Sequence, residues 1–373
     1  MSEVLARIRV RETHGIRRFL YPLQTKILVP NGVNPSAFGM TDQDERPVPN
    51  QISPVYLGND VWSQEYTLDF AVSLEPFAER EFIVAANRPK IAIEDPLQIT
   101  TTSQHPICSV QQKFSVELDW DGFISMVVYD GIPHLRKPME ISRNGVVVEQ
   151  TESGIGNQRD QLKQTIKASG IYDADMCDYE TRAEITACKS WVTLTHTLEQ
   201  PRPQDEIVFT LPLAITSPTL TYDFGVGGYV FGKLDSKAAE IVWRTEFGDA
   251  PYAKWTVATV GRVDYVGEVE TAEAFLPQRW FHLIDSNKAL AVAITKLPDG
   301  CREMTVRLTI EGDVSIAFKL GETVTGPAES GVCYHFLNDV PAIAAATNPQ
   351  SILLPPVVEV LEPLPLVPRS LPC

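Results

Sequence analysis

The sequence predicts an all-β protein, a small N-terminal β-domain followed by a large antiparallel β super-sandwich. Three observations carry this: apolar and polar residues alternate with period two through most of the chain, turn signals separate the alternating runs, and helical periodicity is scarce. A chain of 373 residues is longer than one ordinary domain, and 44% hydrophobic with 21% charged residues is globular composition.

The elements follow in order along the chain. Residues 1–90 form the expected N-terminal β-domain, with strands in "RETHGIRRFLYPLQTKILVPNGV" and "LDFAVSLEPFAEREFIVA". Between them and the next alternating run, Pro and Thr-rich polar sequence at 91–108 reads as a linker. The super-sandwich is expected over 109–345. In "KFSVELDW", Phe114, Val116, Leu118 and Trp120 share one face, and the Asp121-Gly122 turn sends "FISMVVYDG" back as the second arm of a hairpin. One helix is expected, over 157–170, where Leu162 and Ile166 lie one turn apart and Gly170 can cap the end. After it, "WVTLTHTLE", "EIVFTLPL", "ALAVAITKL" and "MTVRLTIEG" repeat the strand pattern with β-branched residues. The tail, 346–373, is Pro-rich and should be extended.

Forty-eight Asp and Glu against 32 Lys and Arg give a net charge of -16, which repels polyanions and argues against nucleic-acid binding. No stretch carries the roughly 20 apolar residues that span a bilayer, and the first residues lack the apolar run of a signal peptide. A cytoplasmic protein without a membrane partner is expected. The six cysteines stand singly, with neither a C-x-x-C pair nor a zinc-finger spacing, so reduced structural thiols, no metal and no cofactor are expected.

In the first block, a Tyr-Pro strand, the segment "DQDERPVPNQ" and the closing "LEPFAERE" follow one another. That order resembles the C-terminal β-domains of family 38 α-mannosidases and the β-domains of exo-acting rhamnogalacturonan lyases. Further along, "VELDWDGFISMVV", "YETRAEITACKSWVTLTHTLEQ" and "QRWFHLIDSNKALAVAIT" are similar to the long paired strands of the super-sandwich shared with galactose mutarotase. The resemblance spans about residues 10–345 and implies a fold and a carbohydrate partner. It implies no mechanism, because neither the zinc-binding catalytic domain of those mannosidases nor the helical barrel of those lyases has a counterpart here.

Four stretches could carry chemistry. In "FLPQRWFHLID", strand alternation places Trp280, His282 and Ile284 on one face and Arg279, Phe281, Leu283 and Asp285 on the other. An indole can stack on the apolar face of a sugar ring while a neighbouring imidazole exchanges a proton near neutral pH. The competing reading packs both rings between sheets, with their nitrogens hydrogen-bonded to backbone. "YDGIPHLRKPMEISRNG" gathers His134, Arg136, Lys137 and Arg143 in a loop, the natural counterpart of a carboxylate-bearing substrate or else a solvated turn of local ion pairs. "GIYDADMCDYETRAE" supplies Tyr172, Asp173, Asp175, Asp178, Tyr179 and Glu180, a carboxylate pool for glycoside hydrolysis, or an exposed acidic turn; its spacing does not match a calcium loop. "TYDFGVGGYVFGKL" holds Gly227, Gly232 and Lys233 at phosphate-loop spacing, but Leu234 stands where a hydroxyl is needed, so its glycines are expected to permit close backbone approach while Tyr222, Asp223 and Tyr229 line a concave face. His196 sits on the apolar face of Val192, Leu194 and Leu198 and reads as a core histidine.

The leading expectation is therefore a protein acting on an oligosaccharide or glycoside, one bearing a uronic acid, by lyase-type β-elimination. His134 or His282 would be the base, Tyr172 or Tyr179 the acid, and Arg136 or Arg279 the carboxylate clamp, with Asp223, Arg143, Trp280 and Tyr222 completing the site. Two alternatives stand beside it: a two-carboxylate glycoside hydrolase drawing on Asp173, Asp178, Glu180 and Asp223, and a noncatalytic carbohydrate-binding or assembly component. Exposed strand edges leave pairing into a homodimer open.

Overall fold

A computed structural model describes residues 4–29, 34, 37–56, 62–86, 88, 91, 97–101, 106–110, 113–119, 123–147, 162–172, 176–187, 189–227, 230–249, 251–286, 288–322, 324, 326–338 and 349–361. The chain divides into two compact units, one of residues 1–96, 160–163 and 355–373, the other of 97–159 and 164–354. Nearly all regular structure is antiparallel strand. Among the described residues no helix is long and apolar enough to cross a membrane.

The smaller unit holds a five-stranded sheet in the order Val357–Leu361, Val4–Arg11, Glu79–Ala86, Phe38–Asp42, Pro47–Val48, and a three-stranded sheet of Arg18–Leu28, Trp62–Leu74 and Asn50–Tyr56. Phe70 of one meets Phe82 of the other at 6.2 Å between ring centres. A buried ion pair marks the turn after the first strand, where Arg18 Nη2 donates to Glu12 Oε1 at 3.0 Å with neither side chain exposed. The Glu12 carboxylate also accepts backbone N–H bonds from His14, Ile16 and Phe77. Burial pushes its pKa up, but Arg18 and these donors outweigh that and hold it at about 2.

The larger unit is a sandwich of two eight-stranded sheets with a five-stranded sheet of 98–133 beside them. One sheet runs Val146–Val147, Glu140–Arg143, Glu206–Pro212, Asp313–Leu320, Cys301–Thr309, Glu240–Phe247, Ala253–Thr259, Arg262–Val269. The other, called the histidine sheet below, runs Lys163–Tyr172, Cys177–Thr186, Trp191–Leu198, Ala328–Asn338, Lys288–Lys296, Trp280–Asp285, Leu220–Phe224, Val230–Leu234. Alternation dictates what lies between the sheets. Met304, Val306 and Leu308 are fully buried while Thr305, Arg307 and Thr309 turn outward. Trp243 meets Phe224 at 5.4 Å and Phe209 meets His196 at 6.2 Å, so the inter-sheet layer is filled with rings and aliphatic side chains. Each such large apolar side chain contributes about 2–3 kcal/mol by leaving water.

The expected hairpin forms, with Phe114 opposite Tyr129 and Val116 opposite Val127; its Asp121-Gly122 turn lies outside the described residues, as does Trp120. The expected helix does not form. Residues 157–161 lie outside the described residues, and Lys163–Tyr172 is a strand whose Gln164, Ile166, Ala168, Gly170 and Tyr172 point inward. That set is also period two, and the two bulky residues one turn apart are members of it. The tail is not wholly extended: Gln350–Leu353 is a short helix in the larger unit, and Val357–Leu361 completes the smaller unit's sheet.

Candidate functional site

The register across the histidine sheet builds the site. Asp223 lies opposite His282, His282 opposite Ala291, Ala291 opposite His335, and His335 opposite Trp191. Directly opposed residues of antiparallel strands share a face, so these side chains form one row across five strands on the face turned away from the sandwich core. Phe281 and Leu283, the alternate residues, are buried in that core. The next row on the same face places Trp280 opposite Ala293.

Within this row the Trp280 and His282 rings lie 5.1 Å apart. His282 Nδ1 stands 3.7 Å from Asp223 Oδ2; the imidazole keeps 12% of its side-chain surface in solvent and the carboxylate 40%. The separation is longer than a hydrogen bond, so Asp223 acts on the ring as a neighbouring carboxylate across the strand pair. The other end is closed by Trp191, which packs edge-on against His335 at 5.6 Å and lies beneath the Lys189 ammonium at 5.2 Å. Burial, then Lys189 and His282, push the His335 pKa down to about 3. Between the two aromatic ends Ala289, Ala291 and Ala293 are buried, and the short helix Gln350–Leu353 packs against their strand. Trp280 takes its place because Gly225 has no side chain: a Cβ there would stand 2.4 Å from the indole nitrogen.

The remaining expected residues do not join this row. His134 is buried, its Nε2 2.9 Å from Asn338 Oδ1, and burial pushes its pKa down to about 4, so it is a neutral ring beside a cavity of about 20 Å³ that Lys288, Asp285 and Ala214 also line. Arg136 donates to the Glu311 carbonyl and pairs with Asp313 at 2.5 Å. Arg143 is buried and donates through Nε and Nη2 to Asp205 at 2.9 and 2.6 Å. Tyr172 is buried with its hydroxyl 3.1 Å from His196 Nε2, and burial pushes its pKa well up. Tyr179 packs on the same histidine at 5.4 Å. His196 itself is fully buried, with Thr181 Oγ1 2.9 Å from Nδ1. Tyr222 faces the core against Phe224, and burial, then Tyr265, raise its pKa to about 12. Arg279 reaches the Thr295 carbonyl at 3.5 Å, and burial lowers its pKa against the opposing influence of Tyr252. Tyr172, Tyr179 and Arg143 thus gather in one buried cluster around His196, with Arg143 over the Tyr172 ring at 5.6 Å and the two tyrosine rings 5.3 Å apart, while His134 and the clamp candidates Arg136 and Arg279 take their partners elsewhere.

Of the carboxylate pool, Asp178 and Glu180 line a cavity of about 460 Å³ with Glu199, and Glu180 pairs with Lys167 at 3.1 Å. Asp223 stands far across the sheet from them, near its other edge. Asp173, Asp175 and Tyr229 lie outside the described residues. Among the described residues no three His, Cys, Asp or Glu side chains are grouped as a metal ion requires.

Sequence reasoning missed His335, Trp191 and Lys189. His335 alternates with Cys333 and Leu337, which gave it no polar company along its own strand; its company is across the sheet.

No family model matches the chain, and no curated protein matches it in sequence. Among solved structures, an α-mannosidase from Enterococcus faecalis V583 superposes with a TM-score of 0.60 at 10% identity, covering 96% of this chain and 46% of that one. A protein in the glycosyl hydrolase family 38, also from Enterococcus faecalis, gives a TM-score of 0.59 at 10% identity over 96% and 48%. The chain spans about half the length of these structures. At such identity the likeness shows a shared fold, the β architecture that the N-terminal block and long paired strands resemble in sequence.

Proposed function

We propose that the chain recognises a glycan on the outer face of the histidine sheet, with Trp280 as the stacking ring and His282, beside Asp223, as the group that exchanges a proton with the bound sugar. The observation that carries this is the cross-strand Asp223–His282 pair, part of which keeps contact with solvent, with the Trp280 ring 5.1 Å away. A ring wall next to an acid–base pair supplies both an apolar surface for sugar C–H groups and a route for a proton. The fold it shares with an α-mannosidase and a family 38 glycosyl hydrolase supports a carbohydrate ligand. In elimination from a uronate, His282 would remove the proton, and of the two clamp candidates Arg136 is paired with Asp313, which leaves Arg279 for the carboxylate.

The test is a panel of mono-, di- and tetrasaccharides of mannose, galactose, rhamnose and galacturonate, followed by calorimetry and by ultraviolet absorbance and reducing-end assays. Trp280→Ala is expected to lose binding, and His282→Ala to lose turnover by about 10²–10⁴-fold, the usual weight of a general base. Ultraviolet-absorbing product identifies elimination, and reducing ends without it identify hydrolysis. Binding without turnover removes the proton-transfer step and leaves recognition standing. A protein that binds no member of the panel, or a Trp280→Ala variant that binds as the parent does, refutes the proposal.

A further inference from the structure

The flank of the sandwich carries a second hollow. Val230–Leu234 is the edge strand of the histidine sheet and Arg262–Val269 the edge strand of the opposing sheet. Residues of both line a cavity of about 740 Å³, within the ~300–1,000 Å³ of ordinary ligand sites. Its wall is built around the Trp255 indole. A Cβ on Gly267 would lie 2.3 Å from that ring and one on Gly227 2.8 Å, and Gly227 has φ +66°, so both positions exclude a side chain and hold the indole between two bare backbones. Tyr265, 37% exposed, adds a second ring, and Glu268 and Gln278 bring a carboxylate and an amide.

Rings beside a few hydrogen-bonding tips suit a polyhydroxylated ligand with apolar C–H faces. The Glu268 carboxylate, in a protein of net charge -16, favours a neutral sugar over an anion here. The hollow also meets the Trp280 face. Gly225 lines the cavity, donates its N–H to the Trp280 carbonyl at 2.9 Å and lies against the Trp280 indole, while Gln278 stands two residues before Trp280. At this junction the Trp280 indole N–H has no hydrogen-bond partner among the described residues.

Resting on the reading of Trp280 as a sugar platform, we infer that the flank cavity under Trp255 is a second saccharide subsite for neutral sugar units, so that the ligand is an oligosaccharide reaching from the histidine face across Gly225 to the flank. The same calorimetry tests it, comparing mannose with its α-linked di- and tetrasaccharide on the full chain and on Tyr265→Ala and Gln278→Ala, neither of which carries a fully buried side chain. The tetrasaccharide is expected to bind about tenfold more tightly than mannose, the scale of one added aromatic subsite. Both variants should bring it back toward the monosaccharide affinity, leave mannose binding unchanged and unfold at the parent's urea midpoint. Equal affinity for all lengths, or variants that bind the tetrasaccharide as the parent does, overturns the flank subsite while Trp280-dependent binding of mannose stands. Failure of the parent to bind any of these sugars overturns the flank subsite too.

Discussion

Lowering the pH from about 7.5 to about 5 should strip the larger unit of about 4 kcal/mol of stability through two buried histidines alone. His134 is 4% exposed and His196 fully buried, and burial holds their pKa values at about 4 and about 3, against an ordinary 6.5. Because the folded values lie below the unfolded one, the unfolded chain takes up protons first. The stabilisation is complete above about pH 6.5 and is lost as pH falls toward about 4. At about pH 5 each ring then forfeits about 2 kcal/mol, a large part of a total that is normally about 5–15 kcal/mol. His335, also pushed down to about 3 by burial and then Lys189 and His282, acts in the same direction and adds to this loss. Glu12, held at about 2, works with the opposite group type and adds to the loss only below about pH 4.5, beneath this window. Urea unfolding followed by near-ultraviolet circular dichroism at several pH values measures the slope. His196→Gln should remove about 2 kcal/mol of the pH-dependent loss, whatever that variant does to absolute stability. A protein as stable at about pH 5 as at about pH 7.5 would refute the assignment of these rings as buried and neutral.

Two further outcomes follow from packing and charge. Arg143→Met should cost about 3–5 kcal/mol in urea unfolding, because it leaves the Asp205 carboxylate buried without its cation, and Arg143→Met combined with Asp205→Leu should recover part of that loss. Gly225→Ala should displace the Trp280 indole and weaken sugar binding by about tenfold, whereas Gly326→Ala, where a Cβ meets nothing within 4 Å, should bind as the parent does; calorimetry on both separates a local displacement from a general loss of fold.

What could be read in the sequence was whatever depends on neighbours along one strand. The alternation Trp280, His282, Ile284 against Phe281, Leu283 is visible in the letters, and the faces follow it. Partnership across strands is not visible, since Asp223 meets His282 and His335 meets Trp191 only through the register of strands distant in sequence. The stretch 163–172 misled because its inward positions include Ala168 and Gly170, whose small size hid the alternation; Gly170 is there to admit the Tyr179 hydroxyl, not to end a helix. The charged loop around Arg136 and Arg143 was recognisable as a cluster, but whether cations face a ligand or a carboxylate of their own fold depends on Asp205 and Asp313, far along the chain.

The pairing of Val4–Arg11 with Val357–Leu361 has a cost in time. Translation at about 5–20 residues per second leaves the N-terminal strand with one unfilled hydrogen-bonding edge for roughly 20–70 s before its partner leaves the ribosome. Throughout that interval, while the sandwich is already being assembled, the smaller unit offers a bare ladder to any extended peptide in reach, including the same strand of a neighbouring nascent chain.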